Sequence, residues 1–472
     1  LEGEVRILRL EEVVNLKQAD KRAGMEEGKE TETGEVQAHL VDIYLEQARE
    51  IPIRKSYDVI VCGAGPAGIA AALTAAREGA STLLVEMHGC LGGIWTAGAL
   101  SWIIDASDKP GIMREIIDRL NLEGGCPPVP KRAGQSFPYD PEVMKRVLEE
   151  MCVEASIDIL LHTRAASAGV DPVTRRLSYL VTESKSGRQA WRAEMFVDAT
   201  GDGDLSALAG CQYEVGRPDN GETQPMSLMA LLTGIDFAEV GSFCMNNRIP
   251  EDGRVLLFEE LARAGIKPSY GAPTLIYIRD GLFALMANHE YGVSATDAAA
   301  ITRATLSARA ELHRMVQGLR LLGKHWSGLQ IVSTAEQIGV REGRRVHGLY
   351  TTDEHDLLQG ARHEDAIARA TFGIDIHSTN PQLGQSYGSD GKKSLPYDIP
   401  LRSLIAKDVN GLLMAGRCIS GDFVAHSSYR VTGNAVAMGE AAGTAAALAS
   451  SMGTLPQHLP WSLLKKRLAF YR

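Results

Sequence analysis

The chain has no C-x-x-C pair. Its seven cysteines stand at 62, 90, 126, 152, 211, 244 and 418, and none of these spacings suits a zinc site or an iron–sulfur cluster. They read as small buried apolar residues or incidental thiols. Cys90 invites comparison with a redox-active disulfide, but no second cysteine stands close to it in the sequence. A bilayer-spanning run is also missing, because the longest candidate, Ala435 to Ser450, is interrupted by Glu440 and rich in Ala and Gly. Nor is there a basic excess: 49 Lys and Arg against 59 Asp and Glu give 49 − 59 = −10, which speaks against nucleic acid or an anionic membrane as the main partner. No signal-peptide pattern is read at the start, so the cytoplasm is the expected location.

What the chain does have is concentrated first in Tyr57 to Gly68, YDVIVCGAGPAG, followed by the alanine-rich IAAALTAAREGA. Val59, Ile60 and Val61 read as a buried strand, and Gly63, Gly65 and Gly68 supply a G-x-G-x-x-G spacing that opens a helix. In such a turn the first glycine allows the bend, the second lets a pyrophosphate approach the backbone, and the third lets helix and strand pack closely. Phosphate charge would then meet unpaired N–H groups at the positive end of the helix dipole. A second apolar strand, Ser81 to Val85, ends in Glu86, eighteen residues beyond Gly68 and placed to accept hydrogen bonds from a ribose.

The rest of the 472 residues is long enough for two or more domains. Residues 1–35 are dense in charge and read as an extended arm; Gln37 to Glu50 has the apolar spacing of an amphipathic helix. Asp140, Pro141 and Glu142 form a helix start. Strands are expected at Ile157 to His162, then at Leu177 to Val181 and Gln189 to Phe196 as a hairpin-like pair. Phe196 to Gly203, FVDATGDG, is a buried strand running into small residues that would let the backbone pass close to a flat ligand. From 216 to about 330 the pattern changes to strands at Met226 to Gly234 and within Ile276 to Asn288, and a long helix from Thr296 to Leu322 carrying Leu306, Leu312, Met315 and Leu319. This reads as an inserted α+β substrate domain with an antiparallel sheet. In Ile331 to Asp353, Arg341, Arg344 and Arg345 lie with Glu336 and Glu342, and Arg362 follows. The group reads either as a salt-bridged network at a junction or as the source of one active-site cation, Arg341. Gly411 to Ala415 is a buried strand, and Thr432, Gly433 and Asn434 open a helix whose N-terminus could stabilise a ring that gains negative charge.

These stretches together resemble the FAD-dependent oxidoreductases of the glutathione-reductase-like superfamily, with a more distant likeness to the fumarate reductase and succinate dehydrogenase flavoproteins. The resemblance runs from about Arg49 to Ser450 and rests on AREIP, VCGAGPAG, E-x-x-x-x-LGG-x-x-T-x-G, DATGDGD, GVREGRR, DIH at 375 to 377, and AGRCIS leading to AH-x-x-x-RV. It implies an α/β fold: a Rossmann-like FAD-binding domain, with a central parallel sheet and a three-stranded antiparallel crossover, interrupted by the substrate domain. The implied division is 1–50 (arm and helix), 51–215 (FAD domain), 216–330 (substrate domain), 331–350 (connection), 351–395 (substrate domain) and 396–472 (FAD domain and C-terminal helix). FAD would be held with Gly63, Gly65, Pro66, Ala67 and Gly68 at the pyrophosphate, Glu86 at the adenosine ribose and Ala165 at the adenine. Gly92, Gly93 and Thr96 would line the flavin side, while Ala199, Thr200 and Gly201 would pass the adenosine half. Asp422 would approach the ribityl side, and Val431, Thr432, Asn434 and Ala435 would meet the pyrimidine ring. The family's Gly-Asp pair at the end of the last strand is Gly416-Arg417 here, so the ribityl contact differs.

The H-x-x-x-R spacing of His426 and Arg430 resembles the pair that fumarate-reductase-like proteins place before the flavin helix. It implies that these residues, with Arg341, bind and protonate a substrate carboxylate or carbonyl. His426 packed on the flavin edge and Arg430 as a structural contact are the alternatives. A second G-x-G-x-x-G is absent, as is a histidine placed like the covalent flavin ligand, so a dissociable FAD and no dedicated NAD(P)H domain are expected. The implied activity is hydride transfer to or from a small organic molecule. An electron-transfer subunit working through a partner protein is the alternative, and a flavin monooxygenase is less favoured. No metal is expected. The electron donor or acceptor and any homo-oligomer are left open.

Overall fold

The computed structural model describes residues 44–129, 134–245, 250–379 and 387–471. The expected arm at 1–35 and most of the helix at 37–50 lie outside them. Residues 44–50 are described and carry no helix, with Tyr44 and Leu45 exposed.

From Ile51 onward the chain begins with strand β1 (Ile53–Cys62), helix α1 (Pro66–Arg77) and strand β2 (Thr82–Val85). Helix α2 (Pro141–Glu154) starts as its sequence dictates: Asp140 accepts a hydrogen bond from the Glu142 N–H, and proline occupies the first turn. Strand β3 (Asp158–Leu160) is followed by β4 (Arg164–Val170), β5 (Leu177–Ser184) and β6 (Gly187–Asp198). The strands form a seven-stranded sheet with the order β3-β2-β1-β6-β5-β4 and one further strand beside β6. β3, β2, β1 and β6 run parallel, whereas β4, β5 and β6 form an antiparallel meander. β6 is long enough to serve both parts, its first half pairing β5 and its second half pairing β1. The parallel sheet with a three-stranded crossover is therefore present.

The chain next builds a four-stranded antiparallel sheet from β7 (Ala230–Thr233), β8 (Thr274–Arg279), β9 (Leu282–Met286) and, after helix α3 (Ala298–Leu321), β10 (Gln330–Thr334), in the order β8-β9-β7-β10. Leu312, Met315 and Leu319 of α3 share a core with Leu275, Phe283 and Leu285. Leu306, also on this helix, is exposed, and Ala304 and Ala308 are buried with the other three; small residues there let the helix approach its neighbours closely. The chain then returns to the first sheet with β11 (Leu412–Met414), the short helix α4 (Phe423–Tyr429) and the long helix α5 (Thr432–Ser451).

Register explains where a ligand can sit. Cys62 of β1 and Met414 of β11 both pair with Asp198 of β6, so three parallel strands end level with one another. Their following loops open at one carboxyl edge, the usual binding edge of an open α/β sheet. α1 and α5 start beside that edge and pack on each other: a Cβ at Gly439 would overlap the carbonyl of Ala67, and one at Gly443 the carbonyl of Ala71. Two helix N-termini are thereby held side by side.

Candidate functional site

The loops at this edge line a cavity of about 1390 Å3. At one end lies the glycine turn. Gly63 has φ +90°, where an L side chain is strained, and a Cβ on it would lie 2.5 Å from the Ala199 carbonyl oxygen. Gly65 differs, since a Cβ there would meet nothing within 4 Å; the space beside it is open cavity. Gly68 is placed to pack rather than to bind, as its missing side chain leaves room for the Gly63 carbonyl. Pro66 and Ala67, at the start of α1, line the cavity, whereas Gly68 does not.

Glu86 is 4 % exposed. Its carboxylate accepts from the Ala64 N–H at 2.6 Å and the His88 N–H at 2.9 Å. The bonds lock the side chain at the cavity wall with lone pairs left for a diol. Asp198 closes the loop after β6 in the same way, accepting from the Thr200 N–H and hydroxyl at 3.1 and 2.7 Å and from the Ser206 N–H and hydroxyl at 2.8 and 2.7 Å. Thr200 thus spends its hydroxyl on Asp198 and offers its backbone to the cavity, beside Ala199 and Gly201. Ala165, Gly93, Gly416, Val431, Thr432 and Ala435 line it as well.

Other expected cofactor residues lie outside the lining. Asp422 caps α4 by accepting from the Ala425 N–H at 2.7 Å and also accepts from the Glu354 N–H at 2.7 Å. Its role is therefore to fold the loop. Thr96 donates to the Leu91 carbonyl, and Gly92 makes the adjoining turn. Asn434 is fully buried with both amide atoms unpartnered. Arg417, standing where the family has Asp, lines the cavity and is paired with Asp202 at 2.9 Å.

The geometry fits FAD. A glycine-opened pyrophosphate cradle, an anchored carboxylate for a ribose, small residues at 199 to 201 for a flat group, and a second helix N-terminus share one continuous cavity.

The same cavity is also lined by alternate residues of β8, Thr274 and Ile276, by Met286 of β9 and by Met229 just before β7, and this part of it forms a chamber. Arg341, Arg430, Tyr270, Asp375 and His377 add polar groups. Arg430 donates to the Asp375 carbonyl at 2.7 Å and lies 3.6 Å from its carboxylate. Arg341 donates to the Pro225 carbonyl at 2.5 Å and to the Ser227 hydroxyl at 2.9 Å. Among the described residues no carboxylate lies within ion-pair distance of Arg341. Burial, and secondarily the charge of Arg430, push the Arg341 guanidinium down to about 10. Asp375 is held well below the usual carboxylate range by His377, Arg430 and Arg341, which together outweigh its burial.

The four arginines that stand together in the sequence separate in space. Arg345 is buried against Glu342 and donates to the Gly421 and Gly216 carbonyls. Arg344 pairs with Asp204 at 2.8 Å, and Arg362 with Asp398 at 3.5 Å. Of the four, Arg341 and Arg344 line the cavity, Arg344 with its charge paired to Asp204 and Arg341 beside Arg430. His426 is fully buried on α4 and does not line the cavity. Neither of its ring nitrogens has a partner in good hydrogen-bond geometry, and burial, followed by the charges of Arg430, Arg345 and Arg417, holds the ring neutral. The histidine in the chamber wall is His377, which the sequence marked only as part of the DIH triplet.

A profile of the family described as FAD dependent oxidoreductase matches residues 58–468. Among curated proteins, the chain is 49% identical over 61 residues to an uncharacterized protein in the nifH2 5' region of Methanosarcina barkeri, covering 13% of this chain and 31% of that one. It is 30% identical over 129 residues to the digeranylgeranylglycerophospholipid reductase of Methanosphaerula palustris, covering 24% and 31%. The matches thus span under a third of these relatives' length. Among solved structures, a geranylgeranyl bacteriochlorophyll reductase-like protein from Thermoplasma acidophilum is similar over 88% of this chain and 84% of that one, at 12% identity and a TM-score of 0.46.

Proposed function

The chain belongs to the FAD dependent oxidoreductase family, and from that premise we propose that it moves a hydride between bound FAD and a small organic acid or carbonyl compound seated in the chamber. FAD supplies the two-electron acceptor or donor. Gly63, Gly65, Glu86 and Thr200 to Gly201 would hold its dinucleotide part, and the Thr432 to Ala435 turn its pyrimidine side, as in the glutathione-reductase-like flavoproteins. The observation that carries the reading is continuity: the residues of the cradle and of the chamber line one cavity, with Arg341 and Arg430 among them. Arg430 is committed to Asp375 and Arg254, also in the lining, donates to the Thr274 and Tyr387 hydroxyls, so Arg341 is the cation we assign to orient an anionic or carbonyl group. Met229, Ile276 and Met286 would exclude water from an apolar body beside that group. The catalytic role first read for His426 falls to the wall that contains His377.

A chamber continuous with the cradle, in which Arg341 has no carboxylate within ion-pair distance among the described residues, supports a small-molecule enzyme over an electron-transfer subunit. The test is to purify the protein, record its absorbance and release the chromophore with acid. It should be yellow, release FAD, and change its flavin spectrum when titrated with small carboxylates. A protein that neither retains nor takes up FAD would sink the proposal, and an FAD-loaded protein blind to every carboxylate and carbonyl compound would sink the substrate class.

A further inference from the structure

Hydride transfer to or from an alcohol, amine or activated carbon is accompanied by a proton, and the chamber wall contains a file of groups not yet given a role. Asp375 Oδ2 lies 3.3 Å from His377 Nε2. His377 Nδ1 lies 3.2 Å from His289 Nε2, and His289 Nδ1 lies 3.2 Å from the Tyr291 hydroxyl. That hydroxyl is also 3.2 Å from the Ser269 carbonyl. Asp375 and His377 line the chamber, His289 is buried behind them, and Tyr291 is partly exposed. The file therefore leads from the chamber to the surface. It is held rigidly, since Glu311 of α3 accepts from the Ser269 N–H and hydroxyl at 2.7 Å each, and the Ser269 hydroxyl accepts from the His289 N–H at 2.9 Å.

A neutral imidazole carries one N–H and one lone pair. With Asp375 ionised, one phasing pairs a donor with an acceptor at every contact: Tyr291 O–H to His289 Nδ1, His289 Nε2–H to His377 Nδ1, and His377 Nε2–H to Asp375. In the opposite phasing the Tyr291 hydroxyl turns to the Ser269 carbonyl, both rings carry the proton on Nδ1, and a bare His377 Nε2 faces the carboxylate. The two phasings hold the same number of protons and differ by one step of each proton along the file. Burial and the neighbouring Arg341 hold His377 neutral, near a pKa of about 3, and Arg430, Tyr270 and Tyr387 are the other ionisable groups around it. A neutral imidazole can give up its proton when its second nitrogen gains one in the same event, which the His289 contact permits.

We propose that His377, His289 and Tyr291 form a proton wire between the substrate chamber and solvent, with Asp375 as the positioning residue that favours the Nε2–H form of His377. The inference rests on the reading of the chamber as the substrate site. In the reducing direction the substrate gains a hydride from bound FAD and a proton from His377 Nε2. His377 Nδ1 takes the His289 proton, His289 Nδ1 takes the Tyr291 proton, and the tyrosine is reloaded from water. In the oxidising direction a substrate C–H bond breaks with its electron pair going to FAD, the neighbouring O–H or N–H proton goes to His377 Nε2, and each proton steps outward.

The test uses the FAD-loaded protein with 15N-labelled histidine. Both His377 and His289 should stay neutral from about pH 5 to 9 with the proton on Nε2, and Tyr291→Phe should slow solvent exchange of the His377 Nε2 proton by roughly tenfold or more. His289→Asn, which keeps hydrogen-bonding capacity but cannot change tautomer, should slow it likewise. A merely structural role predicts the opposite sign, because loosening the packing speeds exchange. Exchange that is unchanged or faster in both variants, or a His377 that is an imidazolium or an Nδ1–H tautomer, overturns the wire. Flavin absorbance of the same samples separates the two readings: a yellow protein with unaltered exchange defeats the wire alone, and a colourless one that cannot be reconstituted defeats the hydride reading and the wire with it.

Discussion

Arg430 donates a hydrogen bond to the main-chain oxygen of Arg341 at 3.3 Å, which ties the two cations of the chamber wall together around one carboxylate, Asp375. Within this trio two guanidinium groups and one carboxylate leave one positive charge, at Arg341; Arg254, also in the lining, donates to the Thr274 and Tyr387 hydroxyls. Arg341→Gln should therefore keep FAD and weaken the best small monocarboxylate by roughly 10- to 100-fold, the loss of one charged hydrogen bond of about 1.5–3 kcal/mol. The matching amide should be little affected. Flavin-absorbance titrations of both compounds measure this, and equal losses for acid and amide would remove Arg341 from substrate recognition.

Gly65 and Gly439 make a controlled comparison. A side chain at Gly65 points into open cavity, so Gly65→Val should fold with a near-normal melting temperature for the apo-protein and yet fail to take up FAD. A side chain at Gly439 collides with the Ala67 carbonyl, so Gly439→Ala should destabilise the α1–α5 pair by about 1–3 kcal/mol. Thermal melts with and without added FAD distinguish the cases, and full flavin occupancy in Gly65→Val would contradict the placement of the cradle.

The cradle was legible because its logic is local. Strand, turn glycine, helix and the acid after the next strand lie within Tyr57 to Glu86, and the contacts that join them, β1 on β2 and the Ala64 N–H on Glu86, stay within that stretch. The chamber was not legible, because Tyr270, His289, Arg341, Asp375, His377 and Arg430 come from separate segments joined by the second sheet and by the return to β11. Sequence proximity was misleading in two places. GVREGRR places Arg341 next to residues that are buried for structural reasons, and the H-x-x-x-R spacing sets His426 and Arg430 on one turn of helix, where only the arginine reaches the cavity. No periodicity separates those cases, since it is the tertiary packing of α4 that decides which side chain turns inward.

Glu342 should matter for stability alone. Its carboxylate pairs with the buried Arg345 and also accepts from the Gly216 N–H at 3.1 Å and the Gln224 N–H at 3.2 Å. Glu342→Gln leaves the buried Arg345 charge with only the longer 3.8 Å pairing to the exposed Glu214, and breaking a buried pair costs about 3–5 kcal/mol. Denaturant unfolding should show that loss while any folded fraction binds FAD normally; a stability within about 0.5 kcal/mol of the parent would mean the pair is not needed to hold the segment.

Acid should unfold the protein through its buried histidines. Burial is the first cause that pushes His377 down to about 3 and His426 and His289 well below their usual range, against an ordinary value of 6.5. Between pH 6.5 and about 3 the unfolded chain binds protons that the folded chain refuses, so stability is present above pH 6.5 and is lost as the pH falls through this window. His426 contributes to that loss without making a compensating hydrogen bond, so His426→Leu should flatten the fall in melting temperature between pH 7 and 4.5 and leave FAD uptake and carboxylate titrations intact. If that variant instead kept its flavin and its acid sensitivity but lost turnover, His426 would have to reach the substrate, and the assignment of the proton-handling group to His377 would fail.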